Sequence, residues 1–217
     1  MCGRFTLTTS DGEHLGDRFG AQLPMGVGLE RFNVCPTEEV LAVSGAPREG
    51  GLLKWGIVPK WARTGQPLIN ARSETVFEKQ PFARLVAKPG RRCLILADGF
   101  YEWLRSEDPK TPRQPFRFSL ADGRPFAFAG LETFGECTIL TCAPNPLVAR
   151  LHDRMPVILD GPDAEEAWLT GELGPDDLGD LCRPFDERAM VSTPANPRVN
   201  RAGEEGADLL EAPAALF

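Results

Sequence analysis

The stretch Cys93-Leu94-Ile95-Leu96-Ala97-Asp98-Gly99-Phe100-Tyr101-Glu102-Trp103-Leu104 decides the fold class. Cys93–Ala97 is a short unbroken apolar run, the pattern of a buried strand, and Asp98-Gly99 is a turn dipeptide that ends it. The large apolar residues that follow enclose one carboxylate, Glu102, between Tyr101 and Trp103. Desolvation among aromatics raises a carboxyl pKa, which fits Glu102 to give and take a proton near neutrality.

Strand patterns continue on both sides. Downstream, Phe116–Leu120, Phe126–Leu131 and Thr138–Cys142 read as strands of one antiparallel sheet, with Asp122-Gly123 as a hairpin turn between the first two. Met155–Leu159 adds another. Upstream, Gly3–Leu7 alternates as a short strand, Glu39–Ser44 is a strand, and Leu52–Pro59 is one broken by Pro59. Helices are predicted at residues 10–20, 77–86, 143–151, 163–170 and 175–182, the first with Ser10 as N-cap and Glu13 completing a capping box. Residues 105–115 are a polar, proline-rich loop. From Pro194 the chain is rich in Pro, Asn and Gly, and only Ala207–Leu210 is predicted to be ordered. Without repeats or a linker, the pattern predicts one strand-rich α+β domain over residues 1–217.

Composition narrows the class. A chain of 217 residues, 42% hydrophobic and 25% charged, has the make-up of a soluble globular protein. It has no apolar run of 18 residues and no basic-then-apolar leader, so a cytoplasmic protein is expected, with no membrane partner. The six cysteines form no Cys-x-x-Cys pair and only His14 and His152 could add imidazoles, so reduced thiols, no metal and no cofactor are expected. The net charge of −7 is uneven. Residues 1–106 carry 14 basic against 11 acidic groups, and residues 107–217 carry 10 against 20. A local cationic groove in the first half is therefore compatible with the acidic total.

The chain begins Met1-Cys2-Gly3-Arg4-Phe5. Removal of Met1 would leave Cys2 with an amine and a thiol on adjacent carbons. That pair condenses with an aldehyde, first as a Schiff base and then as a thiazolidine ring. Both groups have reference pKa values near neutrality, about 7.7–8.0 for the amine and about 8.5 for the thiol. Asn70 and Arg72 follow the strand-like Leu68-Ile69, and His152 lies in Leu151-His152-Asp153-Arg154-Met155-Pro156. An aminothiol, an amide, a carboxylic acid and an imidazole are the components of imine chemistry.

The segments Met1–Phe5, Asn33-Val34-x-Pro36-Thr37, Trp55-Gly56-Ile57-Val58-Pro59-x-Trp61-Ala62, Asn70–Thr75, Ala97–Trp103 and His152–Pro156 resemble, in order, the motifs of the SRAP (SOS response-associated peptidase) family, whose members are described as abasic-site processing proteins. The likeness runs from residue 1 to about 159, with residues 160–217 supplying C-terminal helices and a tail. It implies antiparallel sheets forming a barrel-like core flanked by short helices. It implies that Cys2 links covalently to abasic deoxyribose in single-stranded DNA, with lyase-type Schiff-base chemistry and self-reversal. Asn70 would orient the Cys2 amine, Glu102 would shuttle protons, and His152 would stabilise or protonate the opened sugar. Arg4, Asn33, Pro36, Trp61, Arg72 and Trp103 would contact DNA, the guanidinium groups at phosphates and the indoles against bases. The partner would be single-stranded DNA with abasic sites, met by a monomer. Departures are Cys35 where alanine is usual, Leu96 where proline is usual, and Leu131-Glu132-Thr133 where a tryptophan is usual. Two other readings remain: an N-terminal-cysteine peptidase or autoprotease, which would use the same Cys2, Asn70 and Glu102, and a non-enzymatic reader of modified bases.

Overall fold

The computed structural model describes residues 2–26, 30–59, 61, 65–104 and 113–212. Its strands are β1 (Phe5–Leu7), β2 (Arg31–Val34), β3 (Glu39–Ser44), β4 (Glu49–Trp55), β5 (Asn70–Arg72), β6 (Arg92–Ala97), β7 (Gly99–Trp103), β8 (Pro115–Leu120), β9 (Phe126–Thr133), β10 (Glu136–Cys142), β11 (Met155–Pro156), β12 (Ile158–Leu159) and β13 (Met190–Pro194). Short helices lie between them: α1 (Gly12–Phe19), α2 (Phe82–Val86), α3 (Pro146–Ala149), α4 (Pro162–Thr170) and α5 (Pro175–Leu181).

Five strands close into a barrel. β3 pairs antiparallel with β4 and β6, β6 with β9, and β9 with β10. The ring shuts where β10 meets β4 in parallel, with Glu136 opposite Lys54 and Cys137 opposite Trp55. Closure leaves no edge among these strands for another chain to pair with. β6 is buried along its whole length, as its unbroken apolar run predicts. Aromatic rings fill the interior in edge-to-face contacts, Phe5 with Trp55 at 5.2 Å and with Phe128 at 5.6 Å. Gly130 permits one close approach, since a Cβ there would sit 2.7 Å from the Cys93 Sγ.

A second, antiparallel sheet has the order β13-β8-β7-β1-β2. Asp98, where a turn is predicted, is the corner at which the chain leaves the barrel for this sheet. Its carboxylate accepts bonds from the Thr6 hydroxyl, from the Thr8 amide and hydroxyl, and from Arg117.

The structure corrects several expectations. β8 does not join β9 and β10: both edges of β9 are already taken, by β6 on one side and by β12 and β10 on the other, so β8 pairs with β7 and β13. The cap of α1 is Asp11, which accepts from the His14 amide, rather than Ser10. The helix predicted at 77–86 is reduced to α2 behind a 3-10 turn at Ser73–Thr75. The tail beyond Pro194 is ordered further than predicted, with 3-10 turns at Pro197–Asn200 and Ala207–Leu210 packed on the outer face of β7. The loop predicted at 105–115 lies largely outside the described residues.

Candidate active site around Cys2

β10 assembles the site from both its edges. Beyond its pairing with β4, Ile139–Thr141 align in parallel with Asn70–Arg72 of β5. On the opposite edge Thr141 and Cys142 pair with Pro156 and Met155 of β11, and the loop entering β11 carries His152. Cys2 arrives from the other sheet. The Tyr101 amide donates to the Arg4 carbonyl and Phe5 lies opposite Phe100, so the first residues run antiparallel along β7. Alternation along β7 then puts Glu102 on the same side as the core residue Phe100, and sends Tyr101 and Trp103 to the face covered by the tail.

Cys2 is fully buried in the chain that still carries Met1. Its thiol donates to the Arg4 carbonyl at 3.7 Å, and its own carbonyl accepts the Asn70 Nδ2 at 2.7 Å. The Asn70 Oδ1 is buried with no hydrogen-bond partner among the described residues, an open acceptor on the amide that touches Cys2. Burial pushes the Cys2 thiol well above its ordinary value, and the Glu102 charge adds to this. The reference values that suggest a thiol poised near neutrality therefore do not hold in this setting.

Glu102 is 2% exposed. Burial pushes its carboxyl up to about 7, the Asp153 charge adds to the rise, and the positive amino terminus opposes it. The rise comes from burial on the Phe100 side of β7, since Tyr101 and Trp103 lie on the other face. His152 is a quarter exposed. Its Nδ1 accepts the Arg154 backbone N–H at 3.0 Å and lies 3.0 Å from Asp153 Oδ1. A backbone N–H aimed at Nδ1 requires a lone pair there, so the neutral ring carries its proton on Nε2. Asp153 can hold Nδ1 only once that nitrogen is protonated.

These contacts bring Cys2, Asn70, Glu102 and the His152–Asp153 pair into one neighbourhood. The residues expected to contact DNA are placed differently. Arg72 is exposed and Pro36 is half-buried. Trp61 is 67% exposed. Arg4 is half-buried, and its Nη1 is committed to the Asn33 Oδ1 at 2.9 Å and the Val199 carbonyl at 2.5 Å. Asn33 is buried, and its Nδ2 donates to the carbonyls of Arg201 and Glu204. Its buried side chain therefore braces Arg4 against the tail. Trp103 donates its indole N–H to Asn200 Oδ1 at 2.8 Å, on the face of β7 away from Glu102.

Three participants were not singled out in the sequence. Glu74, Asp153 and Arg154 surround the site, and each lies inside a motif that already drew attention, so their charges beside Asn70 and His152 were the available signal. Among the described residues no group of three or more His, Cys, Asp or Glu could hold a metal ion, and no helix is long and apolar enough to cross a membrane.

Comparison with known proteins gives a consistent result. The family model described as SOS response associated peptidase (SRAP) matches residues 1–202. Abasic site processing protein YoaM of Bacillus subtilis is 40% identical over 230 residues, covering 98% of each chain. Abasic site processing protein YoqW of the same organism is 39% identical over 229 residues, covering 97% of this chain and 99% of its own. A crystal structure of a protein from Bacteroides thetaiotaomicron superimposes with a TM-score of 0.83 at 22% identity, over 98% of this chain and all of the other. That last likeness concerns the fold alone.

Proposed function

This chain belongs to the SRAP family, and from that premise we propose that it captures abasic-site aldehydes in single-stranded DNA as a thiazolidine on Cys2. The relatives named abasic site processing proteins support the lesion as substrate. The observation that carries the chemistry is the buried Cys2, hydrogen-bonded to Asn70 and lying within the field of a carboxyl that titrates near 7.

The steps follow from these groups. Once Met1 is removed, the Cys2 amine donates to the open Asn70 Oδ1, which aims its lone pair at the C1′ aldehyde. The amine adds to that carbon, and protonated Glu102 gives its proton to the departing hydroxyl, so water leaves and a Schiff base forms. The thiol then adds to the same carbon while carboxylate Glu102 takes its proton, which closes the ring. The high thiol pKa makes that acceptor necessary at neutral pH. His152, with its proton on Nε2, donates to the hydroxyl of the opened sugar. Reversal runs through the same groups, and lyase cleavage of the DNA would proceed from the Schiff base. Arg72 meets phosphate and Trp61 stacks on a flanking base. The protein works as a cytoplasmic monomer without a cofactor.

The peptidase reading finds less support. A cysteine peptidase needs a ready thiolate, and Cys2 is held protonated by burial and by a neighbouring carboxylate. The test is a denaturing gel of protein mixed with a single-stranded oligonucleotide bearing one abasic site. A shifted, heat-stable band that Cys2→Ala abolishes is expected. Peptide turnover without DNA adduct would overturn the assignment.

A further inference from the structure

Glu74 and Arg154 come from the two segments that carry Asn70 and His152, and they join them. Glu74 sits in the 3-10 turn Ser73–Thr75 that directly follows β5. The Arg154 Nη1 donates to Glu74 Oε1 at 2.6 Å and its Nη2 to Oε2 at 2.8 Å, a two-point bond. The same Nη2 donates to the Thr141 carbonyl at 2.6 Å, on the strand that lies between the two segments. Arg154 also supplies the backbone N–H that meets His152 Nδ1. The Arg154 hydrogen bonds hold the Glu74 carboxyl below its ordinary value.

We propose that Glu74 and Arg154 are positioning residues, a clasp that fixes His152 with its proton on Nε2 and at a set place relative to Asn70 and Cys2. This deepens the proposed function and rests on it for the role of His152. A bidentate carboxylate–guanidinium pair resists rotation as well as separation, so it holds the Arg154 backbone in place. If that backbone shifts, Nδ1 loses its donor and the Asp153 carboxylate, 3.0 Å away, favours a proton there instead. Nε2 then becomes an acceptor, and the group that should donate to the opened sugar cannot. The Glu74 side chain is 51% exposed, so its half of the pair adds little stability, whereas the Arg154 side chain is 12% exposed and keeps its bond to the Thr141 carbonyl when Glu74 is replaced.

The experiment reads the imidazole directly. The chain has two histidines, so in a His14→Asn background the imidazole 15N resonances belong to His152 alone. At pH 7.5 the parent protein should show an unprotonated Nδ1 and a protonated Nε2. Glu74→Gln should shift the ring to a mixture of tautomers, and Glu74→Asp should restore the parent pattern. In parallel, Glu74→Gln should slow reversal of the abasic cross-link by up to about 10²-fold, the cost of a catalytic group misplaced by about 1 Å. The double variant Glu74→Gln/His152→Ala should be no slower than His152→Ala alone. An unchanged 15N pattern in Glu74→Gln, or two substitutions whose effects multiply independently, would overturn the clasp. A tautomer shift in a protein that never cross-links the abasic oligonucleotide would support the clasp and reject the function it serves.

Discussion

Replacing Glu102 by Gln keeps the side chain's shape and removes its ability to exchange a proton. Two magnitudes follow from its burial. The first is kinetic. A carboxyl at about 7 is half protonated at neutral pH, so in the proposed mechanism the same group would serve the hydroxyl-loss and thiol-addition steps. Its loss should slow cross-link formation and reversal by about 10²–10⁴-fold, the usual worth of a general acid–base. The second is thermodynamic. The folded-state pKa is raised from 4.5 to about 7, so folding favours the protonated form. That stabilisation is fully present below about pH 4.5 and is lost as pH rises through about 7, amounting to about 3 kcal/mol across the window. Gln cannot ionise and escapes the loss. Glu102→Gln should therefore unfold at nearly the wild-type denaturant midpoint at pH 4.5, and at a clearly higher midpoint at pH 8. Cross-link time courses with borohydride trapping, and urea melts at both pH values, measure the two effects. Wild-type cross-linking rates with a stability difference independent of pH would refute both the proton shuttle and the buried charge.

Cys2→Ala, or any residue fixed in front of Cys2, should abolish the heat-stable adduct while Cys35→Ala and Cys93→Ala cross-link normally, as scored on the same denaturing gel. Asn33→Ala strips partners from Arg4 and from the Arg201 and Glu204 carbonyls. It should cost about 1–3 kcal/mol in a urea melt, together with affinity for single strands, because Arg4 loses its brace. Arg72→Glu should weaken binding to all sequences alike, and the log affinity of wild type should fall against log salt with a slope of about −1.5 to −2, the counterion release of two or three phosphates. A slope near zero in a fluorescence-anisotropy titration would exclude an arginine-lined strand path.

The strands were legible where local pattern decides them. β3 spans the predicted Glu39–Ser44, and β6 extends Cys93–Ala97 by a single residue. The pairing of β8 was not legible, because alternation sets which face is buried and says nothing about which edge is free. Glu102 reads as a raised carboxyl from its sequence neighbours Tyr101 and Trp103, but those rings lie on the other face of β7, and the burial that raises it comes from the Phe100 side. The bracing of Arg4 by Asn33 and Val199 was not legible, because those partners lie 29 and 195 residues away. The same limit hid the elevated Cys2 thiol. Reference values describe a solvated terminus, and its burial depends on β5 and β7, far along the chain.

The bond from Arg4 to the Val199 carbonyl ties the first residues to a segment made near the end of synthesis. At roughly 5–20 residues per second, ribosomal synthesis separates these two partners by about 10–40 s. The contacts that enclose Cys2 come from β5 and β7, which are made much earlier. The amino-terminal segment is thus held in two stages, first around Cys2 and only at the end around Arg4.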